Sequence, residues 1–437
     1  MTSTVLIKPI AENMKDSIRE CFDLFGGIDS IVKGNVFIKP NGTACDKYRS
    51  AMTSPEVIEA TVELIRKEAT KAKEIYVFEN SALTMFTRMV FTFDNLAKRI
   101  KKAGGIPLYL DEQRSVDVDF HGKCLDKPIP IPKIIHEQLI EKRAENTYIN
   151  VPKLKSHTQC DVTICLKNQH GFLYYPEKIY HHHMMDEKIV DIMRVFKPDF
   201  NIVDATTVCD YGPVAYKPEW VIPMGLLLAG KDPVAVDTVG ARLIGFNNVR
   251  HIQLAACEGF GTNNLDEIDV MPSRDLIDKY TTQLHSSIDI PMPSNIVYIQ
   301  GKERGCEHAN HLRQGCCTLE TALRVVPLGE QYGPCVGITA KGHDTKELDT
   351  YTGPFIVSGP CAVEELKPYF ERRADRRKIE VYYLNEHMDL AEIAKTVNTA
   401  LRIPTKVVMR LSPFGMPRIL ALYLSAKLHG VQCKLAM

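Results

Sequence analysis

The chain has 437 residues, with Lys plus Arg and Asp plus Glu numbering 54 each, so its formal net charge is zero. A broad nucleic-acid surface or a basic membrane arm needs a surplus of Lys and Arg, so this balance argues against nucleic acid and membrane as general partners. There is no run of eighteen apolar residues and no secretion-type leader, so the sequence predicts a cytoplasmic protein without a membrane span.

Short runs rich in β-branched residues alternate with helix-like segments through the first 285 residues. This alternation is typical of a mostly parallel sheet that is flanked by helices on both faces. The clearest helix is 55–70, where Ser54 precedes Pro55 and an apolar stripe follows. The predicted strands are 4–8, 35–39, 74–78, 106–110, 147–151, 200–204 and 224–229, and the predicted helices are 13–25, 55–70, 92–103, 134–143, 186–196 and 233–244.

A polar and proline-containing segment, 286–296, indicates a linker to a second block of the same α/β kind. We therefore predict an anion-binding α/β domain over 1–285 and a smaller α/β domain over 295–437. The second domain is predicted to have strands at 296–300, 354–358, 380–384 and 406–409, with helices at 361–372, 389–401 and 415–429.

The segment 151–171 begins at the last residue of a predicted strand and concentrates lysine, histidine and asparagine side chains that could bind a ligand. Ligands of open α/β sheets bind beyond the carboxyl ends of the strands, so lysines here favour a site for a carboxylate or a phosphate. An imidazole titrates near neutrality, so His157, with Lys155 beside it, is the predicted catalytic group. A solvated basic loop is the alternative. The residues predicted to bind substrate in this segment are Lys153, Lys167 and Asn168.

Three further residues complete the predicted site. Lys39 and Asn41 follow the strand 35–39 and would add a cation and an amide to the same crevice, unless they form an ordinary turn. Asp237 lies on a helix that is apolar on nearly every face, so its carboxylate is expected to be half buried and to need a cation or donor partner. We predict a catalytic role for Asp237, with a structural ion pair as the alternative.

The thirteen cysteines are many for a cytoplasmic protein. Cys306, Cys317, Cys335 and Cys361 lie in the second domain, and thiolates bind zinc and iron–sulfur clusters. We predict that these four hold a single metal ion or an iron–sulfur cluster at one end of the small sheet. A redox or nucleophilic thiol and a set of buried structural thiols are the alternatives.

The blocks PKLKSHTQCDVTICLKNQHG, NIVDA and LLLAGKDPVAVDTVGARLIG resemble the domain-of-unknown-function family 362, as do the IKPN start and the TSPEVIEA helix. The resemblance covers roughly residues 1–270. It implies an association with iron–sulfur clusters, because many members carry ferredoxin-type motifs or a later pair of Gly-Cys segments. The segments around Cys317 and Cys361 look similar to that later pair.

These observations predict a metal- or iron–sulfur-assisted enzyme that acts on a small anionic substrate by redox chemistry or isomerisation. The alternative is a non-catalytic electron carrier or metallocofactor chaperone, which would bind a cluster without an organic-substrate pocket. A small anionic ligand and a redox partner protein are the expected partners.

Overall fold

Over the residues that it describes, the computed structural model contains a sheet of eight strands and a sheet of four strands, each covered by helices, and two small sheets of two strands each. It describes residues 2–44, 46–81, 85–174, 177–178, 181, 184–302, 312–326, 332–373, 377–385, 390–404 and 414–431.

The strands of the chain are β1 (Ser3–Pro9), β2 (Gly34–Pro40), β3 (Ala72–Glu79), β4 (Ile106–Tyr109), β5 (Ser115–Val118), β6 (Ile129–Pro132), β7 (Thr147–Val151), β8 (Lys155–His157), β9 (Asp161–Thr163), β10 (Phe200–Cys209), β11 (Val221–Gly230), β12 (Ile268–Met271), β13 (Ile296–Gln300), β14 (Cys335–Thr339), β15 (Phe355–Ser358) and β16 (Val381–Leu384). The helices are α1 (Met14–Asp23), α2 (Pro55–Glu68), α3 (Thr87–Thr92), α4 (Leu96–Lys102), α5 (Lys133–His136), α6 (Cys165–Asn168), α7 (Met185–Val195), α8 (Pro233–Leu243), α9 (Arg250–Cys257), α10 (Asp275–Tyr280), α11 (Leu312–Val325), α12 (Thr345–Leu348), α13 (Pro360–Arg372), α14 (Leu390–Ala400) and α15 (Met416–Leu428).

The large sheet has the order β12-β1-β11-β10-β7-β2-β3-β4. Only β11 runs antiparallel to its two neighbours, and all other neighbours in this sheet are parallel. The carboxyl ends of β2, β3 and β7 therefore meet at one edge, where an open α/β sheet binds its ligands. The predicted fold class, a mostly parallel sheet flanked by helices with a smaller α/β unit, is confirmed.

The central strands of the large sheet, β2, β7 and β10, are buried on both faces along most of their length, as is typical of a parallel sheet covered by helices. In β2, Val36 and Ile38 pack with α1 and α2 on one face, whereas Phe37 packs on the opposite face against Phe78 and Phe172. This alternation is the period of a pleated strand. Lys39 continues the strand and is fully buried at its carboxyl end.

The small sheet has the order β13-β14-β15-β16, and all of its neighbouring strands are parallel. The predicted linker lies between the two sheets, because β12 ends at Met271 and β13 begins at Ile296. Helix α15 follows the small sheet in the chain but packs on the first unit, where Tyr423 contacts Phe86.

The sequence prediction missed several elements, among them β14, the hairpin of β8 and β9, and helix α9. The predicted strand 406–409 lies outside the described residues. Among the residues that are described, no helix combines the length and the low polarity that crossing a bilayer requires. The cytoplasmic location and the absence of nucleic-acid partners stay predictions.

We expect Gly34→Ala to destabilise the first unit strongly. Gly34 has a φ of +60° at the start of β2, and an added Cβ would lie 2.0 Å from the carbonyl oxygen of Glu145. A left-handed alanine costs about 1–2 kcal/mol, and the clash adds about 1–3 kcal/mol. Urea unfolding measures the loss.

Gly259→Ala is the matched control for this change. Gly259 follows α9 with a φ of +77°, but nothing lies within 4 Å of an added Cβ. This variant should therefore lose only the part of the free energy of unfolding that the left-handed backbone conformation costs. Equal losses for the two variants would contradict the assignment of close packing at Gly34.

Candidate active site

A cleft of about 370 Å³ opens at the carboxyl edge of the large sheet. Its floor and one wall come from the ends of β2 and β3, from residues within 155–171 and from Lys178. The opposite wall comes from α11 and α14, which flank the small sheet. The predicted site residues that line this cleft are Lys39, Asn41, Lys155, His157, Lys167 and Asn168.

A buried ion pair forms part of the floor of the cleft. The Lys39 Nζ donates to Glu79 Oε1 at 2.8 Å, and both side chains are almost completely buried. Burial lowers the pKa of Lys39, while the Glu79 carboxylate opposes that shift. Gly171 lies against the pair, since a Cβ there would be 2.2 Å from Glu79 Oε1 and 2.5 Å from Lys39 Nζ. A side chain at position 171 would thus disrupt the pair.

Lys155 is the second buried cation of the floor. Its Nζ donates to Asn41 Oδ1 at 3.2 Å and to the carbonyl oxygen of Ala51 at 2.5 Å. The described residues supply no carboxylate in contact with it, so burial lowers the pKa of Lys155 to about 8. An amine with this pKa exchanges a proton readily near neutral pH.

The two predicted asparagines are engaged with each other and with the backbone. Asn41 Nδ2 donates to Asn168 Oδ1 at 3.1 Å. Asn168 Nδ2 in turn donates to Asn150 Oδ1 at 2.8 Å and to the carbonyl oxygen of Lys39 at 3.2 Å. Both amides line the cleft, but their hydrogen bonds mainly fix its floor in place.

Lys167 differs from the floor lysines in its surroundings. Its side chain is half-buried in the wall of the cleft, and burial lowers its pKa. Within the described part of the chain, its ammonium group has no hydrogen-bond or ion-pair partner. The nearby hydroxyl of Thr163, which also lines the cleft and is buried, likewise lacks a partner among those residues. These two groups are available to a ligand.

Asp237 does not line the cleft but determines where Lys167 lies. Its two carboxylate oxygens accept the backbone N–H groups of Cys165 and Leu166 at 2.7 and 2.9 Å. This contact fixes the first turn of α6, which carries Lys167. Burial raises the pKa of Asp237 to about 6. The structure thus makes Asp237 a positioning residue and not a member of the cleft.

His157 ends β8 at the rim of the cleft, where it is half-buried. The backbone N–H of Gln159 donates to Nδ1 at 3.2 Å, and Cys160 Sγ lies 3.4 Å from the same nitrogen. An acceptor Nδ1 places the proton of the neutral ring on Nε2. The sequence did not single out Cys160 as a neighbour of this histidine.

Lys153 does not line the cleft, which corrects its predicted place in the ligand site. Its Nζ lies 3.2 Å from Asp204 Oδ2, and both side chains are fully buried. The hydroxyl groups of Thr206 and Thr207 accept further hydrogen bonds from Lys153 at 3.3 and 3.1 Å. This ammonium group is therefore satisfied inside the protein, because β10 provides a carboxylate for it.

Lys178 is a cleft residue that the sequence analysis missed. Its Nζ donates to the carbonyl oxygens of Asn80 and Ser81, so it anchors the loop that follows β3. The only signal in the sequence was the lysine itself, in a segment without a recognisable pattern.

The predicted metal ligands do not come together in the described residues. Cys335 is the first residue of β14, whereas Cys361 follows the end of β15 and opens α13. Val336 pairs with Phe355 and Thr339 with Ser358, so the two cysteines lie at opposite ends of the small sheet. At ~3.3 Å per residue they are separated by more than about 13 Å along the strands. They cannot bind one metal ion together, which corrects the predicted convergence of the cysteines.

The other two predicted ligands have less defined positions. Cys306 lies outside the described residues, and Cys317 falls within α11, where its side chain is not described. Over the part of the chain that is described, no group of three or more His, Cys, Asp or Glu side chains is arranged to hold a metal ion. Cys335 and Cys361 therefore do not form a shared site, and the metal ion or cluster stays a prediction that depends on Cys306 and Cys317.

The chain is similar to known proteins and to a family model. A thylakoid-associated protein of Synechocystis sp. is 25% identical over 268 residues, which cover 58% of this chain and 77% of the relative. A crystal structure from Thermotoga maritima covers 85% of this chain and 81% of its own, at 12% identity and a TM-score of 0.33, which is too low to support a shared fold. Residues 36–242 match the model of the family described as Domain of unknown function (DUF362), which confirms the predicted resemblance for that part of the chain.

Proposed function

We propose that the cleft binds a small anionic substrate, a carboxylate or a phosphate, and that the protein is an enzyme that transfers a proton to or from it. The observation that carries the proposal is the Lys167 ammonium group. It lies in the wall of the cleft without a partner among the described residues. A half-buried cation without a counter-charge is costly unless a ligand supplies one.

The balance of charge around the cleft supports the same ligand class. Four lysines line it, and Glu79 is the one carboxylate among the described lining residues. Glu79 is already paired with Lys39. The remaining positive charge acts in a partly desolvated space, where electrostatic attraction is stronger than in water.

Two groups in the cleft are suited to move a proton. Lys155 has a pKa lowered to about 8, and His157 presents an imidazole at the rim. A group that titrates near the working pH is an efficient general acid or base. Of the two reaction types expected from the sequence, isomerisation by proton transfer is the one for which the described residues supply the groups.

The cleft also favours an enzyme over the alternative of an electron carrier or metallocofactor chaperone, which predicts no organic-substrate pocket. A metal ion or iron–sulfur cluster is not part of the proposed proton transfer. It stays a prediction that depends on Cys306 and Cys317.

We expect Lys167→Met to weaken binding of butanoate or butyl phosphate by about 10-fold to 100-fold, because a charge-assisted hydrogen bond contributes about 1.5–3 kcal/mol. Folding should be retained, since methionine replaces an ammonium group that has no described partner. Isothermal titration calorimetry measures the affinity. Lys98→Met, which removes an exposed charge of α4 outside the cleft, is the control and should bind as the wild type does. Equal affinity of all three proteins would refute the proposed site.

The affinity for a carboxylate should also depend on pH. Lys155 is an ammonium ion below its pKa of about 8 and neutral above it, so binding should be strong below pH 8 and should weaken as the pH rises through 8. An ordinary lysine would keep its charge to about pH 10. Butanoate keeps a constant charge over pH 6–10, so titrations across this range isolate the protein groups.

Lys155→Met tests the assignment of this pH dependence. The variant should bind butanoate more weakly at pH 7 and should show a smaller fall in affinity between pH 7 and pH 9. A profile identical to that of the wild type would show that another group is responsible.

A further inference from the structure

The wall of the cleft opposite the lysines is apolar. Helix α11 contributes Ala322 and Val325, and the adjacent Val326 extends this surface. Helix α14 contributes Ile393 and Ala394. A small hydrated anion such as phosphate gains nothing from contact with this surface, because the contact removes water from the anion without replacing its hydrogen bonds.

The apolar wall is the margin of the apolar faces with which the two helices pack on the small sheet. In α11, Leu319 and Leu323 pack into the core of the small sheet. Ala322 and the adjacent Val326 pack against the same core while they line the cleft. Residues three and four positions apart share one side of a helix, so the core side of α11 continues into the wall of the cleft. Ile393 of α14 likewise belongs to this core and lines the cleft.

Contacts through the linker hold this wall over the lysines. Arg324 on α11 donates to the carbonyl oxygen of Ile290, and Ser287 shares a hydrogen bond with Thr158 in the loop after His157. Both partners of the second contact are buried. The wall is therefore connected to the segment that carries the polar side of the site.

Apolar side chains also line the margin of the cleft on the side of the lysines. Pro213, Val214 and the ring of Tyr216 come from the loop between β10 and β11. The cleft of about 370 Å³ lies within the range of small-molecule sites, ~300–1,000 Å³, which combine an apolar lining with a few polar groups. It exceeds what one carboxylate or phosphate group fills.

We infer that the substrate is amphipathic: an acid or phosphate ester whose anionic group meets Lys167 and whose apolar body lies against α11 and α14. The inference deepens the proposed function and depends on it. The lysines determine the head group, and the apolar wall determines the length and width of the body. The hydroxyl of Thr321, which lines the cleft and has no hydrogen-bond partner among the described residues, is a polar contact for a substituent on that body.

Two homologous series test this inference on the full chain. Inorganic phosphate with ethyl, butyl and hexyl phosphate forms one series, and acetate, butanoate and hexanoate form the other. Calorimetric titration should show the affinity rising about fourfold for each added methylene until the cleft is full, because burial of one methylene contributes about 0.8 kcal/mol. The series with the higher affinity at equal chain length identifies the head group.

A polar substitution in the wall should reduce the chain-length effect alone. Ala394→Asn should lower the gain per methylene to less than about twofold, while the affinity for inorganic phosphate or acetate remains that of the wild type. Lys395→Asn introduces the same side chain at the next, exposed position of α14 and should preserve the full gain. Ala322→Asn repeats the test on α11 should the first variant fail to fold.

The possible outcomes distinguish the inference of an amphipathic substrate from the proposal of an anion site. Affinity that is independent of chain length, but is lost in Lys167→Met, would overturn the amphipathic substrate and leave the anion site in place. A chain-length gain that is the same in the wild type, Ala394→Asn and Ala322→Asn would also overturn it, because the body would lie elsewhere. Absence of binding by every member of both series would overturn the proposed function itself.

Discussion

The desolvation of lysine ammonium groups is the constraint on which this site depends. Four stretches of chain carry lysines to one edge of the sheet, and removing such charges from water is unfavourable unless each finds an acceptor. Lys39 is paired with Glu79, whereas Lys155 and Lys178 donate to uncharged oxygens. The series ends at Lys167, for which the described residues supply no such acceptor. The lysines of the site thus range from one with a carboxylate partner, through those with neutral hydrogen-bond acceptors, to one without an acceptor among the described residues.

The rest of the fold keeps these charges where they are. The amide contacts of Asn41 and Asn168 link the end of β2 to α6, and Asp237 holds the first turn of α6 from the other side. Gly171 leaves room for the buried pair. Hydrogen bonds between neutral groups, and the space left by a glycine, accordingly hold the lysines in place. They allow a pocket with excess positive charge to form within a packed protein.

The fold could be predicted well from the sequence because hydrophobic periodicity is local. The strands at 147–151 and 296–300 were predicted with their observed bounds, and the helix at 55–70 within two residues. The partners of individual lysines could not be predicted in this way. Lys153 and Lys155 are two residues apart and look alike, but Asp204, which satisfies only Lys153, comes from a strand 51 residues later. Cys335 and Cys361 were expected to meet and do not, for a similar reason, since β14 was not predicted and Cys335 lies at its beginning.

The charged half of the cleft lies within the part of the chain that matches the family model, and the apolar half lies outside it. Lys39, Lys155, Lys167 and Lys178 all fall within residues 36–242, whereas the apolar wall begins at Thr321. Under the proposed function, the anionic group of the substrate is recognised by the part of the chain that matches the family model, and its apolar body by helices that lie beyond that match. Substitutions in α11 and α14 would then change which molecules bind while the charged floor of the cleft stays the same.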